Sequence, residues 1–355
     1  MGDKRLVAAK MGQGLVCLVE QEIPPLRPGT VLVQVHNSLV SPGTELGGWK
    51  GFAAERAQGK RLSQPQPFGY SNAGCIVAVG ENVKTLKLGD RVACIGGGYA
   101  LHSNYAVVPQ NLCVVLSDNV TYEQGAYGML AATGVQAVRR GQPQLGEFVA
   151  VVGLGLVGQL SAQLYQLSGA FVIGWSRNRI YNDIARRWGI EEVVESGVDD
   201  EVVATRTFTK GRGLDGAVFA FGGNADEAYE KVKQCLMSSP DGHLMGRIVV
   251  VGGSSGSYRF EAANIDIRIA ARTGPGYHDE AWELGADYPP AVVRWSTRAN
   301  LALCMQLISE GKLNVDCLTT HTIPFENAES GLNHVVTQPE QALGVVFAMA
   351  HGGKA

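Results

Sequence analysis

Gly153, Gly155 and Gly158 form a G-x-G-x-x-G directly behind the apolar run Phe148 to Val152. Short loops produce such a spacing by chance, so the flanks decide its meaning. Here a β-branched strand precedes it, a helix-compatible stretch, Leu156 to Leu167, follows, and a second strand, Phe171 to Gly174, comes next. In that setting the first glycine permits a tight turn, the second lets the backbone approach a pyrophosphate, and the third lets helix and strand pack closely. Phosphate charge then rests at the helix N-terminus. Leu156 and Val157 lie in the same loop-to-helix turn, and Gly222 and Gly252 follow the later strands Gly216 to Phe221 and Arg247 to Val251. Together these positions form the expected dinucleotide-binding set.

The residues after the second strand choose between the two nicotinamide dinucleotides. An acid there accepts hydrogen bonds from a free ribose 2′-hydroxyl and repels a 2′-phosphate. The chain has no acid at this place: the strand runs into Ser176, Arg177, Asn178 and Arg179, a hydroxyl and two guanidinium groups suited to a phosphate dianion. A charge-assisted contact of this kind contributes about 1.5–3 kcal/mol, enough for a tenfold preference. NADP(H) is therefore the expected cofactor. The competing reading makes Arg177 and Arg179 solvated residues that open the next helix.

With 355 residues, 45% hydrophobic and 18% charged, the chain suits a soluble globular protein of two domains. A formal charge of -3 gives no basic excess, so nucleic acid and anionic membrane are not expected partners. The opening Met-Gly-Asp-Lys-Arg has no secretory pattern, and no apolar run approaches the roughly 18 residues of a membrane span. A cytoplasmic location is expected. The seven cysteines are scattered without a C-x-x-C pair, which argues against a disulfide framework and against a cysteine zinc site.

The first part of the chain reads as short β-prone runs divided by Gly, Pro and Asn turns: Leu6 to Ala9, Val16 to Glu20, Val31 to His36, Ala73 to Val79, Arg91 to Ile95 and Tyr105 to Val108. From about Tyr122 helices alternate with strands, beginning with a helix over Glu123 to Arg139 and continuing through the glycine loop, as a doubly wound parallel sheet requires. The segment after Pro290 holds a helix, Asn300 to Glu310, and a final strand, Leu343 to Ala348. It is too small to fold alone and should complete the first domain. The expected division is residues 1–128 completed by 290–355, and residues 129–289.

These residues resemble the medium-chain dehydrogenase/reductase superfamily over essentially the whole chain. Gly89-Asp90-Arg91-Val92 is similar to its G-D-R-V strand entry, and Gly69 to Gly80 resembles G-H-E-x-x-G-x-V-x-x-V-G. Thr133-Gly134 sits at its nicotinamide-side turn, and Gly311-Lys312-Leu313 to Thr320-His321 resembles its C-terminal G-K-V…T-H run. The resemblance implies an α/β protein with a GroES-like β-rich catalytic domain, a Rossmann doubly wound parallel-sheet domain, a cleft between them, and a homodimer or homotetramer. It also places Thr133 in the cofactor set.

The departures bear on the chemistry. Where zinc-dependent members hold a catalytic metal, this chain has Ser41 or Pro42, Tyr70 followed by Ser71, and Met129, none an ordinary zinc ligand. The lobe of four cysteines that binds structural zinc is missing as well. No metal is expected, although a rearranged site using Glu45, His102 or His278 stays open. Ser41 to Glu45, Phe68 to Ser71, Gly98 to His102 and Gly274 to Trp295 resemble a zinc-free branch, some of whose members are fused to sugar or inositol dehydrogenase-like domains. Val293-Arg294-Trp295 falls where polyol dehydrogenases have a Phe-Arg-Tyr segment at the substrate.

Hydride transfer to a ketone leaves negative charge on oxygen, and without a Lewis acid a hydrogen-bond donor must stabilise it. A phenol, with an ordinary pKa near 10, suits a general acid for an alkoxide. The resemblance puts Tyr70 at the histidine ligand's place and Thr44 at the proton-relay hydroxyl, and His102 could pass the proton onward to solvent. It puts Arg294, Trp295 and Tyr99 at the substrate. The alternative roles are a cleft-wall ring for Tyr70, a turn residue for Thr44 and a hydrogen-bonded strand residue for His102. The resulting expectation is a zinc-independent, NADPH-preferring oxidoreductase acting on the alcohol/carbonyl carbon of a small sugar- or polyol-like molecule. Enone or quinone reduction and an inactive NADPH-binding sensor or scaffold are the alternatives.

Overall fold

The computed structural model describes residues 3–59, 61–257 and 263–350. The chain divides into two compact units: Met1–Ala132 with Thr273–Gly311 and Leu318–Ala355, and Thr133–Arg272 with Lys312–Cys317.

In the second unit, strand and helix alternate through β1 (Phe148–Val152), α1 (Leu156–Leu167), β2 (Phe171–Ser176), α2 (Arg179–Trp188), β3 (Glu192–Glu195), α3 (Glu201–Phe208), β4 (Gly216–Phe219), α4 (Asp226–Cys235), β5 (Leu244–Val251) and β6 (Ala263–Ala270). All six strands pair in parallel, in the order β3-β2-β1-β4-β5-β6. The order reverses between β2 and β4, on either side of β1, which makes a topological switch point at its carboxyl end. Every residue of β1 is buried, since the sheet is covered on both faces. Phe148, Ala150 and Val152 pack into one apolar cluster with Trp175 and Phe219, while Val149 and Val151 pack into a second with Val172 and Val218. That two-sided burial is why β1 reads as an unbroken apolar run.

The first unit is β-rich. One mixed sheet runs Thr319–Pro324, Gly344–Ala348, Thr30–Val40, Ser71–Val79, Arg91–Ile95 and Cys113–Val115, with Tyr105–Pro109 also paired to Thr30–Val40. A smaller sheet joins Leu15–Glu22, Lys4–Gly12 and Arg61–Pro67 in antiparallel pairs. The expected return of the chain after residue 290 falls earlier, at Thr273. The 273–289 segment is held to the β-rich unit by polar contacts: Asn111 Nδ2 donates to the Trp282 carbonyl at 2.6 Å, and Gln110 Nε2 to that of Leu284 at 2.8 Å. Conversely, Lys312–Cys317 joins the second unit, where Gln163 and Asn314 exchange two hydrogen bonds of 2.9 and 2.8 Å.

Local differences from the sequence expectation have local causes. The helix expected over Glu123 to Arg139 is two helices, Tyr122–Gly125 and Gly128–Gly141. The Ala126 carbonyl at the break accepts the Ser71 hydroxyl at 2.7 Å, and that hydroxyl accepts the Met129 N–H at 3.1 Å. The turn around Ser41 is a short helix, Pro42–Leu46, started by a proline at its first position and closed by Gly47 in the left-handed conformation. Among the described residues no helix is long and apolar enough to cross a membrane.

Candidate active site and cofactor crevice

The glycine loop joins β1 to α1 at the switch point. Gly153 has φ 92°, and a Cβ there would lie 2.9 Å from the Ala220 carbonyl oxygen. At Gly158 a Cβ would sit 1.8 Å from the Gly153 carbonyl oxygen, so helix and loop touch at this point through glycine alone. Gly155 differs from both: nothing lies within 4 Å of where its Cβ would be. It caps the helix with no side-chain hydrogen bond to the first N–H groups, the groups a phosphate can accept from. These three environments match the turn, the helix contact and the phosphate approach that a dinucleotide demands.

The loop borders a cavity of about 620 Å³ lined by Gly153, Gly155, Ser176, Arg177 and Gly222 of the expected set. Leu156, Val157, Gly158, Arg179, Gly252 and Thr133 do not line it. Leu156 and Gly158 are buried in α1, Arg179 is an exposed first residue of α2, and Gly252 is exposed beyond β5. Thr133 lies within the helix Gly128–Gly141. The turn after β2 is fixed internally. Ser176 Oγ accepts the Asn178 N–H at 3.2 Å, and Asn178 Oδ1 caps α2 by accepting the N–H groups of Ile180 and Tyr181 at 3.0 and 3.2 Å.

Sequence reasoning missed three charged residues in this crevice: Glu201, Glu227 and Lys231. Arg177 Nη2 lies 3.5 Å from Glu227 Oε2, Lys231 Nζ lies 3.0 Å from Glu227 Oε1, and Lys231 reaches both oxygens of the buried Glu201 at 3.2 Å. Lys231 first, then Arg177, holds the Glu227 carboxyl below its ordinary range. Glu227 and Lys231 are a helical i,i+4 pair, a signal present in the sequence but usual on any solvated helix face.

In the β-rich unit the segment Phe68-Gly69-Tyr70 is pressed against Leu101-His102. Gly69 has φ 125°, and a Cβ there would lie 2.3 Å from the His102 nitrogen. The His102 N–H donates to the Phe68 carbonyl at 3.1 Å, and the Gly96 N–H to that of Tyr70 at 3.0 Å. Tyr70 is thus held by backbone on two sides, with its side chain buried beside Ser41 and Thr44. Burial pushes its phenol well above the ordinary value and the Glu45 carboxylate adds to this, while side-chain hydrogen bonds with Ser41 and Thr44 act the other way. Ser41 is buried and Thr44 exposed, so the phenol stands between the interior and an open hydroxyl.

His102 does not serve as the expected exit to solvent. Its side chain is fully buried, with Nδ1 2.9 Å from Ser38 Oγ and Nε2 3.2 Å from Glu45 Oε2, between the edges of Phe68 and Phe347. The Glu45 carboxylate also accepts the Ser41 N–H at 2.7 Å, and its Oε1 has no partner. Glu45, Ser41 and His102 therefore form a buried network behind Tyr70.

Tyr99 borders a separate recess of about 460 Å³ with His278, Glu280 and Glu283. Tyr277 accepts the Gly97 N–H at 2.9 Å near this recess and also acts electrostatically on Tyr70. Arg294 and Trp295 are exposed and stacked on each other, with the guanidinium carbon 4.5 Å from the ring centroid. They do not line the Tyr99 recess. Among the described residues no group of three His, Cys, Asp or Glu side chains is placed so that it could hold a metal ion. The Ser71 hydroxyl is spent on the backbone contact described above, and Met129 offers only a thioether. The donor set does not fit a catalytic zinc ion.

Residues 27–118 match the model of the alcohol dehydrogenase GroES-like domain. Together with the relatives below, this match supports a place for the chain in the medium-chain dehydrogenase/reductase superfamily of oxidoreductases. It is 25% identical to the sorbitol dehydrogenase of Arabidopsis thaliana over 304 residues, covering 76% of this chain and 75% of that protein. To the D-guloside 3-dehydrogenase of Escherichia coli strain K12 it is 26% identical over 378 residues, covering 97% and 100%. Galactitol-1-phosphate dehydrogenase from Escherichia coli shares the fold with a TM-score of 0.74 at 17% identity, over 97% of this chain and 99% of that one.

Proposed function

We propose that this chain is a zinc-independent, NADPH-preferring oxidoreductase acting on the alcohol/carbonyl carbon of a sugar- or polyol-like substrate. The observation that carries the reading is Tyr70, a buried phenol at the histidine ligand's place, flanked by hydroxyls in a unit whose donors do not fit zinc. A nicotinamide dinucleotide held in the crevice would supply or accept the hydride. The turn at Gly155 and the helix N-terminus would hold its pyrophosphate, with Gly153 shaping the turn and Gly158 the close helix contact, and Ser176 with Arg177 would meet the 2′-phosphate. Tyr70 holds a proton on its hydroxyl for the carbonyl oxygen, and Ser41 and Thr44 orient that hydroxyl. Glu45 and His102 fix the wall behind it. The names of the relatives, sorbitol and D-guloside dehydrogenases, support a polyhydroxylated substrate.

Purified protein with NADPH is tested against parallel panels of keto-sugars, simple ketones, enones and quinones. Turnover concentrated on keto-sugars supports the reading. Turnover of enones or quinones alone replaces it with β-carbon or quinone reduction, in which resonance shares the charge and a weaker donor suffices. Cofactor binding with no turnover in any panel favours an inactive binding protein.

A further inference from the structure

The crevice beside the glycine loop is walled on one side by the β2 turn and on the other by α4, and four charged side chains border it. Arg177 comes from the turn, Glu227 and Lys231 from α4, and Glu201 from the start of α3. They form an unbroken ladder, Arg177–Glu227–Lys231–Glu201, with contacts of 3.5, 3.0 and 3.2 Å. Two cations face two carboxylates, so the ladder carries no net charge toward a ligand. The contacts differ in how firmly they are held. Glu201 is buried and takes Lys231 with both oxygens, whereas the Arg177 and Glu227 side chains are 80% and 67% exposed. An exposed pair at the edge of hydrogen-bonding distance is weak and readily exchanged.

We infer that Glu227 and Lys231 are specificity-determining residues for the adenosine 2′ position: Glu227 competes with a 2′-phosphate for Arg177, and Lys231 holds Glu227 back. This rests on the reading of the crevice as the dinucleotide site. Arg177 has one guanidinium to give. When it turns to a phosphate, Glu227 keeps Lys231 as its cation, and Lys231 is itself anchored on the buried Glu201. Without Lys231 two carboxylates face the phosphate unopposed. With Glu227 neutral, Arg177 and Lys231 both become available to it. A free 2′-hydroxyl carries no charge, so it feels this balance far less than the phosphate does.

The test is a fluorescence titration of the full chain with NADPH and with NADH at low salt. Glu227→Gln raises NADPH affinity about two- to fivefold, the range of an exposed charge interaction, and does not raise NADH affinity. Lys231→Met lowers NADPH affinity by a similar factor. Both effects shrink at about 0.5 M salt, where the screening length falls well below 10 Å. Because Lys231→Met also strips the buried Glu201 of its cation and costs fold stability, the exposed Glu227→Gln change is the decisive variant. An NADPH-to-NADH affinity ratio equal to the parent's in Glu227→Gln, or one moved toward NADH, overturns the inference. A parent protein that prefers NADH overturns the proposed cofactor instead, and the ladder still stands if Glu227→Gln moves the ratio toward NADPH. Failure of the parent to bind either dinucleotide overturns both.

Discussion

Glu45 Oε2 lies 3.2 Å from His102 Nε2 inside the β-rich unit, with side chains 4% and 0% exposed. The other ring nitrogen is taken by Ser38 and the same carboxylate oxygen by the Ser41 backbone, so the pair joins the short helix Pro42–Leu46 to the interior. Removing one member strands polar atoms that water does not reach. His102→Leu should therefore cost about 1–3 kcal/mol of folding stability. Denaturant unfolding of the parent and variant measures this, and equal midpoints with equal slopes would contradict a structural role for the pair.

The Tyr70 phenol is raised by burial and then by the Glu45 carboxylate, so it stays protonated beyond the ordinary phenol value near pH 10. A general acid works below its own pKa. Carbonyl reduction should accordingly show no alkaline loss from this group up to about pH 10, and Glu45→Gln should move the alkaline limb to lower pH. Tyr70→Phe keeps the ring and removes the hydroxyl, which should lower turnover by about 10²–10⁴-fold with NADPH affinity nearly unchanged. Turnover of Tyr70→Phe within a few-fold of the parent, with hydride transfer shown to be rate-limiting by a deuterium isotope effect, removes Tyr70 as the proton donor.

Arg177 lies on the crevice wall without an acid at its own turn, although Glu227 faces it from α4. Arg177→Asp restores a ribose-binding acid and deletes the cation, so NADPH preference should shrink or invert. Dissociation constants for both dinucleotides in parent and variant decide the point. Equal constants in the parent would sink the proposed preference.

How much was readable in advance follows from the range of the interactions. The β1-loop-α1-β2 unit was legible because its order rests on neighbouring residues: two-sided burial makes Phe148 to Val152 uniformly apolar, and the loop conformation demands glycine. The short helix after Ser41 was not, since it is fixed by distant partners such as His102, 57 residues away from Glu45. Arg294 and Trp295 were assigned by their place in a resemblance, which says nothing of exposure, and the structure stacks them on each other at the surface. Lys231 had a local signature, yet its meaning depends on Glu201, brought near by the packing of α3 and α4.

The zinc prediction follows from side chains already committed elsewhere. The Ser71 hydroxyl is taken by the Ala126 carbonyl and the Met129 N–H, a thioether is not an ordinary zinc ligand, and Glu45 and His102 are only two donors, tied to Ser38 and Ser41. Protein purified without chelator should contain well under one zinc per chain by elemental analysis. Stoichiometric zinc lost together with activity on chelation would refute this.

Two glycines of the same loop should respond to alanine in opposite ways. At Gly158 the added methyl would overlap the Gly153 carbonyl oxygen, 1.8 Å away, and that atom belongs to backbone that cannot turn aside. The loop must shift, and overpacking of this kind costs about 1–3 kcal/mol of stability. At Gly155 the methyl meets nothing within 4 Å, and the residue's φ of -67° suits alanine. Folding should be unchanged or slightly better, because alanine restricts the unfolded chain. The open space at Gly155 is the space a pyrophosphate needs, so Gly155→Ala should weaken both NADPH and NADH by a similar factor and leave the ratio between them intact. Thermal unfolding separates the variants in the absence of cofactor, and titration separates them in its presence. If Gly155→Ala binds both dinucleotides as tightly as the parent, the phosphate does not lie over this turn.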